Sequence, residues 1–213
     1  MVSPARRRPP AWELVSDRGR PFLRMTLPEV PATLPTLTVP ETIAGRYRVE
    51  EPFAVGAVSV LLAARDERTR RRVLIKVLRG PAPPPPTAVP ADRRDEAWAA
   101  EIRRARHLLQ TERRLLVRLR NAGCTGVPNP IDYVYDRNPE LDALGPAPAG
   151  LEPFLVLPRL AGTPLDELLE ASYPGGMDEG RALELIAPVV EILAALHEPW
   201  RLRGGHTWHC VYQ

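Results

Sequence analysis

The stretch Val73-Leu74-Ile75-Lys76-Val77-Leu78 places one lysine inside an otherwise apolar run. Three arginines precede the run and Gly80-Pro81 follows it, so the pattern predicts a buried strand between two turns. A lysine in such a strand is costly to bury unless its ammonium group meets an anion, either a carboxylate or a bound phosphate. The alternative is an edge strand from which Lys76 reaches water. The strand by itself leaves both interpretations open.

A carboxylate for this lysine is found in the segment from Asp92 to about Arg120. Glu112 lies in the apolar stripe of a predicted helix, about 40° around the axis from Trp98, and Glu101 lies near the stripe's edge. We expect Glu112 to pair with Lys76, because each charge otherwise faces apolar surroundings. The alternative is a slightly rotated helix in which Glu112 reaches solvent. The stripe is about 100° wide and contains Trp98, Ile102, Ala105, Leu109, Leu116 and Leu119.

Antiparallel strands are predicted before the lysine strand. Tyr47 and Val49 alternate as in a strand, residues 59–66 predict a second strand, and residues 66–69 predict a turn into the third. The small residues of 53–59 are expected to form the tight turn between the first two strands. The sequence therefore predicts a three-stranded meander that ends on the lysine strand.

The second half of the chain predicts two more strands and then only helices. Residues 131–135 and 154–157 have the strand pattern, and Gly123 is expected to end the long helix. A short helix is predicted from Thr163 or Pro164, and Asp178 is expected to cap a helix through Leu196 that Pro188 kinks. This order of elements predicts an α+β fold.

Two stretches rich in proline are predicted to be irregular. Residues 1–45 predict a Pro/Arg-rich tail and linker with a short hairpin, in which Gly19 supplies the positive φ. An isolated hairpin of this length has to dock on something to be stable. Residues 81–91 predict a Pro-rich surface insertion, either a spacer or a ligand for a partner with an aromatic-lined groove.

Composition limits the classes of function. With 213 residues and 44% hydrophobic content the chain is long enough for a folded core, and no 18-residue apolar window predicts a membrane span. The start has no apolar core of a secretory signal, and two cysteines give no disulfide framework, so we expect a cytoplasmic protein. Residues 1–80 carry 15 Lys/Arg against 8 Asp/Glu, whereas residues 151–213 carry 4 against 9. This asymmetry indicates two subdomains or a basic tail, but the basic part lacks the interleaved aromatic residues that favour nucleic-acid binding.

A zinc site is an alternative use of the last residues. His206, His209 and Cys210 lie close together in the sequence, and Cys124 would complete a four-ligand set. The sequence has neither a serine nucleophile elbow nor a Walker-type lysine loop.

From about Arg46 to the last residue, the order of elements and their residues resemble a bacterial Ser/Thr protein kinase. The Lys76 strand is similar to the V-A-I-K strand, whose lysine holds the α/β-phosphates of ATP, and Glu112 is similar to the glutamate of helix αC that pairs with it. The resemblance implies a kinase-like N-lobe and hinge over 46–160, an antiparallel sheet with one long helix, and an incomplete helical C-lobe over 161–213.

The resemblance also implies a set of nucleotide-binding residues. Residues 154–165 resemble the hinge that meets adenine, which places Leu157 at the gatekeeper position and Pro158 and Leu160 in the hinge. Besides Lys76 and Glu112, it implies nucleotide contacts from Gly56, Leu61, Leu74, Leu157, Pro158 and Leu160.

Several positions depart from the family pattern. Of the three glycines in the Gly-rich loop only Gly56 is present, with Ala54 and Ser59 in the other two places, and Leu74 replaces a small alanine over the adenine. Tyr212 and Gln213 stand where the His and Arg of the catalytic loop are expected. The resemblance thus implies that the chain stops just before the catalytic Asp and lacks the base and both Mg²⁺ ligands.

The expected function follows from the resemblance. It implies that the complete enzyme binds ATP and Mg²⁺ and transfers a phosphoryl group to a protein substrate. This truncated chain is expected to be inactive alone and to expose apolar surface on its last helix. The alternative is a non-catalytic, pseudokinase-like interaction module that recruits partners through its tail and Pro-rich insertion.

Overall fold

A computed structural model of the chain shows antiparallel sheets together with helices. It describes residues 12–17, 19–27, 36–56, 58–79, 94–142, 151–197, 200–201 and 207–208. The chain divides into two compact units, Met1–Arg113 with Pro130–Arg159 and Arg114–Asn129 with Leu160–Gln213. The combination of antiparallel strands and helices agrees with the predicted mixed class, whereas the boundaries of the three predicted regions stay a prediction.

The strands of the first unit form two antiparallel sheets. One has three strands in the order β1-β2-β3, and the other has six in the order β4-β5-β6-β7-β9-β8. These strands are β1 (Trp12–Asp17), β2 (Arg20–Thr26), β3 (Thr36–Pro40), β4 (Thr42–Ile43), β5 (Tyr47–Val55), β6 (Ser59–Asp66), β7 (Arg72–Leu78), β8 (Asp132–Asp136) and β9 (Glu152–Pro158).

The predicted meander is confirmed as β5, β6 and β7, with β6 paired to both neighbours. The first strand is longer than expected, because β5 continues through Phe53 to Val55 and only Gly56 to Val58 remain for the turn. Register shifts on either side of Pro52 explain the difference. Such bulges let a strand pass a proline, which cannot donate a ladder hydrogen bond.

Alternation along β7 separates the two faces of the six-stranded sheet. Val73, Ile75 and Val77 are buried in the main hydrophobic cluster. Leu74 and Lys76 point to the opposite face, because successive side chains of a strand alternate. We call the first side the core face and the second the lysine face.

The three-stranded sheet covers the core face. Its buried residues Leu23, Met25, Leu37 and Val39 belong to the same hydrophobic cluster as the β7 valines. The hairpin of β1 and β2 is present, with Gly19 at φ 76°. The structure differs from the predicted extended linker at residues 36–43, where β3 and β4 form: Leu37 and Val39 alternate with Thr36 and Thr38, a strand pattern that the nearby prolines obscured.

Asp136 of β8 accepts hydrogen bonds from Arg20 of β2 and from Ala44, which follows β4 at the other end of the six-stranded sheet. Asp136 accepts two hydrogen bonds from Arg20, at 2.7 and 2.6 Å, and one from the Ala44 amide at 2.6 Å. Burial alone would raise the pKa of Asp136, but these hydrogen bonds and the Arg137 amide hold it below its ordinary value. Asp136 is therefore an ionised, buried anchor for the segment that precedes β5.

A second polar cluster lies at the start of β5. Arg46 donates to both oxygens of the buried Asp66, at 2.9 and 2.7 Å, and to Asp132 at 2.9 Å. These bonds, with those from Thr69 and the Arg68 amide, hold the pKa of Asp66 well below its ordinary value despite burial. Burial and the hydrogen bond that Tyr47 donates to Asp132 raise the pKa of Tyr47.

The long helix α1 (Arg94–Asn121) matches the predicted segment. Ile102, Ala105, Leu109 and Leu119 are buried as the stripe predicted, but Leu115 is buried in place of the half-buried Leu116. Successive residues lie about 100° apart around the axis, so the buried face near the end of α1 is rotated from the predicted stripe. The side chain of Trp98 lies outside the described residues.

The second unit contains helices whose described side chains are largely exposed. Helix α3 (Leu165–Ser172) has Pro164 as its N-cap residue, at the predicted start. Helix α4 (Glu179–His197) includes Pro188 and is capped by Asp178, whose carboxylate accepts from the Arg181 amide at 3.0 Å. No residue of α3 or α4 is buried, and the expected exposed apolar stripe consists of Leu183, Ile186, Val190 and Leu193.

The remaining elements are short. The four-residue helix α2 (Pro139–Asp142) follows β8, where a loop was predicted, and a two-stranded ladder joins β10 (Trp200–Arg201) to β11 (Thr207–Trp208). The Pro-rich insertion predicted at 81–91 lies outside the described residues. No helix in the described ranges is both long and apolar enough to cross a membrane.

Candidate functional site

The predicted pairing of Lys76 with Glu112 is present. The Lys76 Nζ atom lies 2.9 and 2.7 Å from the two carboxylate oxygens of Glu112. Neither side chain is fully buried, with 26% of Lys76 and 35% of Glu112 exposed. Both interpretations of the lysine are thus met in part, because the ammonium group has an anion and also retains access to solvent.

Two further contacts hold α1 over the sheet. Arg106 forms a bidentate ion pair with the buried Glu152 of β9. Its Nε donates to Glu152 Oε2 at 2.8 Å, and its Nη2 donates to Oε1. The Arg113 guanidinium lies 4.7 Å from the ring centroid of Tyr133 on β8. Glu112 lies between these two arginines in sequence, so both contacts restrict the rotation of the helix that would carry Glu112 away from Lys76.

Apolar side chains surround the lysine on its own face. Leu61 and Leu155 are the cross-strand partners of Lys76, and Leu157 is the partner of Leu74. Directly paired residues of antiparallel strands project to the same face, as do residues two apart on one strand. The lysine face therefore has an apolar surface built from four leucines beside one ammonium group.

The turn between β5 and β6 lies beyond Lys76 at the end of the strands. The Gly56 amide donates to the Ser59 carbonyl at 2.8 Å, which closes the turn. A side chain at position 56 would place its Cβ 3.3 Å from that carbonyl, so glycine suits the close approach. The Gly56 N–H, however, is engaged within the turn.

The two predicted hinge residues are placed differently. Pro158 pairs with Val73, whose side chain belongs to the core face, so Pro158 is placed on the side away from Lys76. Leu160 belongs to the second unit and is 64% exposed. Within the first unit the structure thus brings together Lys76, Glu112, Leu61, Leu74 and Leu157, with Gly56 at the end of the sheet.

Lys76 is the only lysine in the sequence, against 28 arginines. Every other strongly basic side chain of the chain is a guanidinium group. A lysine ammonium is a compact point charge with three donors, whereas arginine presents a broad planar fork. The one position that keeps a lysine is the one that faces a carboxylate on an apolar surface.

The geometry leaves the ammonium group with capacity for a ligand. Glu112 accepts two of the three donors of Lys76, so one N–H remains for an oxygen of an anion. No cluster of three or more His, Cys, Asp or Glu side chains suited to a metal lies in the described part of the chain. The described residues therefore offer one N–H donor to an anion and gather no carboxylate cluster for a divalent cation. Of the zinc alternative only Cys124 is described, and His206, His209 and Cys210 lie outside the described residues.

Sequence reasoning missed three residues of this region. Leu155 could have been found from the register of β7 with β9, which the two apolar runs alone do not fix. Arg106 and Glu152 carried no signal, because a lone arginine on a helix and a lone glutamate at a strand start are common surface residues. Glu101, which lay near the predicted stripe, is instead an exposed residue 3.8 Å from Arg104.

Comparison with known proteins gives one low-level structural similarity. No protein-family model matches the chain, and no curated protein matches it. Solved structures give 57 matching chains; one, described as "PpkA-294 apo form", has 17% sequence identity and a TM-score of 0.48. The match covers 71% of this chain and 48% of that chain, so this chain spans about half the length of the matched structure. A similarity at this level supports no assignment of fold family or function.

Proposed function

We propose that the lysine face binds the phosphates of ATP, as the nucleotide-side part of a protein-kinase-like domain. The observation that carries this proposal is the Lys76–Glu112 ion pair, which joins the third strand of a meander to a long helix. In protein kinases a lysine on the third strand of the N-lobe sheet and a glutamate of helix αC form such a pair, and the lysine holds the nucleotide phosphates. The further step, phosphoryl transfer to a protein hydroxyl, belongs to the proposal for a complete kinase.

Three features support the proposal. The pair is partly open to solvent, so an anion can reach the remaining N–H of Lys76. Leu61, Leu74 and Leu157 supply an apolar surface on the same face, as a planar base requires. The ammonium group is the single lysine of a chain that otherwise uses arginine.

The proposed role of each residue follows from its chemistry. Lys76 donates to a phosphate oxygen, and Glu112 orients the ammonium group and partly neutralises it. Leu61, Leu74 and Leu157 exclude water from one side of the base. Mg²⁺ would supply charge neutralisation between the phosphates when bound, and no step is assigned to it because the described residues gather no ligands for it.

The single lysine makes a direct test available. An ATP analogue with an amine-reactive acyl phosphate can acylate only Lys76 and the α-amino group, and peptide mapping separates the two. We expect modification of Lys76 that excess ATP prevents, and loss of this protection in Glu112→Gln. Glu101→Gln is the matched control on the same helix, since Glu101 is exposed and 3.8 Å from Arg104.

Two results would contradict the proposal. One is acylation of Lys76 that millimolar ATP does not reduce, which means that the amine is reactive without a nucleotide site. The other is the absence of any change in Tm on addition of millimolar ATP, with or without Mg²⁺, because a ligand of the native state raises Tm by mass action.

A second candidate is a non-catalytic, pseudokinase-like interaction module. The closed turn favours it, because the Gly56 amide donates to Ser59 and Ala54 and Ser59 replace two glycines of the loop. Glycines in such loops let backbone amides approach phosphates closely. A chain that keeps its fold but neither protects Lys76 nor gains stability with ATP would support this second candidate.

A further inference from the structure

A row of three arginines crosses the opposite end of the lysine face. Arg48 of β5 pairs directly with Arg65 of β6, and Arg65 pairs directly with Arg72 of β7. Arg65 lies four residues from Leu61, and Arg72 lies four residues from Lys76, so alternation puts the row on the lysine face. At roughly 3.3 Å per residue, the row lies about 13 Å along the strands from Lys76. We call Arg48, Arg65 and Arg72 the arginine row.

This arrangement is unfavourable without a counter-charge. Like charges directly opposite one another in antiparallel strands destabilise a sheet. Neighbouring strands are about 4.8 Å apart, so the three guanidinium groups are held on one face of the sheet within side-chain reach of one another. A strand pair chosen only for stability would place an acidic or β-branched residue at the centre of the row.

The carboxylates near the row neutralise it only in part. The Glu67 carboxylate lies 3.2 Å from Arg48 Nε through Oε1 and 2.6 Å from Arg70 Nη1 through Oε2. Glu50 Oε2 lies 3.9 Å from Arg72 Nε. Two carboxylates therefore face four arginines, the row and Arg70. The central Arg65 has a buried Nε without a hydrogen-bond partner among the described residues.

The ends of the row are open. Arg48 is 53% exposed and Arg72 is 67% exposed, so a ligand can reach both guanidinium groups from solvent. A phosphate group carries several terminal oxygens and can accept from more than one guanidinium fork at once. The row therefore offers a doubly charged group more than one guanidinium fork on the same face of the sheet.

We propose that the arginine row is a second anion site that binds a phosphate group, separate from the nucleotide site at Lys76. The phosphate belongs either to a free polyphosphate or to a phosphorylated side chain on a peptide, because both present the same terminal oxygens. The proposal does not depend on ATP binding, since no residue of the row contacts the Lys76–Glu112 pair through a described hydrogen bond or ion pair.

The test uses the full chain and two probes at fixed ionic strength. Two probes, tripolyphosphate and a phosphoserine peptide, are titrated by calorimetry against three proteins. Chloride is the control for tripolyphosphate, and the unphosphorylated peptide is the control for the phosphopeptide. The first is the wild type, and the second is the row variant Arg48→Gln/Arg65→Gln/Arg72→Gln. The third is a charge-matched control, Arg24→Gln/Arg104→Gln/Arg181→Gln, whose arginines are exposed and each paired with one carboxylate.

We expect at least one probe to bind the wild type and the control, and to bind the row variant ten-fold or more weakly. Binding of tripolyphosphate alone identifies a free-phosphate site, and binding of the phosphopeptide but not its unphosphorylated form identifies a phosphorylated side chain. Equal loss in the row variant and the control means attraction by net charge only and overturns the proposal, as does binding of neither probe.

A stability measurement separates a ligand site from a structural role. Arg65→Gln relieves the repulsion in the row, so its Tm should equal or exceed that of the wild type in chloride, while the rise in Tm caused by the bound phosphate probe should be lost. A lower Tm of Arg65→Gln without ligand, together with an unchanged response to the probe, would mean that Arg65 only supports the sheet.

Discussion

The two faces of the six-stranded sheet are covered in different ways. The core face packs against the three-stranded sheet, and its side chains form one apolar cluster with Leu23, Met25, Leu37 and Val39. The lysine face has the Lys76–Glu112 pair toward one end and the arginine row at the other. Each of the strands β5, β6 and β7 contributes to both faces, so alternation lets one strand serve stability on one side and ligand chemistry on the other.

The difference between the faces means that substitutions on them should have separable effects. On the core face a change should alter the free energy of unfolding, since the residues are surrounded by apolar neighbours. On the lysine face a change should alter ligand binding more than stability, because the charged groups there are partly solvated.

The largest expected effect is on the core face. Leu37→Ala removes a fully buried side chain from β3, and we expect a loss of about 2–5 kcal/mol in the free energy of unfolding. Urea denaturation monitored by circular dichroism measures it. Leu14→Ala on β1 is the control, because Leu14 is 60% exposed and should change stability by less than about 0.5 kcal/mol. Similar small losses for both would show that the three-stranded sheet does not share the core.

The next effect is pH-dependent and involves Asp66. Hydrogen bonds from Arg46 hold the pKa of Asp66 below its ordinary value, so the ionised form is favoured in the folded state. This stabilisation is fully present above the ordinary carboxyl pKa of about 3.9 and is lost as the pH falls below it. Asp66→Asn should cost about 1–3 kcal/mol near pH 7.

Unfolding at acid pH tests this prediction. Urea midpoints of the wild type and Asp66→Asn, measured from pH 6 down to pH 2, should converge as the pH falls below about 4. A difference that stays constant over this range would mean that the ionisation of Asp66 does not contribute to stability. Glu13→Gln is a suitable control, because Glu13 forms an exposed pair with Arg24.

A smaller effect on stability is expected on the lysine face. Lys76→Met removes one partner of an ion pair that is 26% and 35% exposed, so the loss in free energy of unfolding should stay within about 1 kcal/mol. Chemical denaturation of the variant measures this value, and ATP titration should show the loss of nucleotide binding that the proposed function requires. A loss as large as that of Leu37→Ala would assign Lys76 to the core and remove the contrast between the faces.

The smallest expected effect concerns the size of the apolar surface. Leu74 is half-buried beside Lys76 and narrows the space that a base could occupy. Leu74→Ala should strengthen ATP binding about three-fold to ten-fold, which corresponds to no more than about 1.4 kcal/mol. Calorimetric titration with ATP measures the change, and weaker binding by the variant would show that Leu74 contacts the base rather than restricting it.

The local pattern of the sequence predicted much of the fold. Alternation of Tyr47 and Val49 marked β5, the strand pattern of 59–66 and the apolar run around Lys76 placed β6 and β7, and the 3.6-residue stripe placed α1 with Glu112 toward the sheet. Asp178 marked the start of α4. The helix phase also placed Glu112 on the apolar face of the helix, which made it the expected partner of Lys76, while a solvent-facing Glu112 stayed the alternative. These are local features, which depend on residues a few positions apart.

Tertiary structure decided what the local patterns could not. Residues 36–43 became strands because β2 and the core face offered them partners, although their prolines indicated a linker. The Arg106–Glu152 pair and the arginine row depend on register between strands and helices that are distant in the sequence, and a shift of one residue would move every side chain to the other face. The sequence by itself determined which residues point together along each strand and helix, whereas only the packed sheets determined which of them meet, since pairing is a property of two segments and not of one.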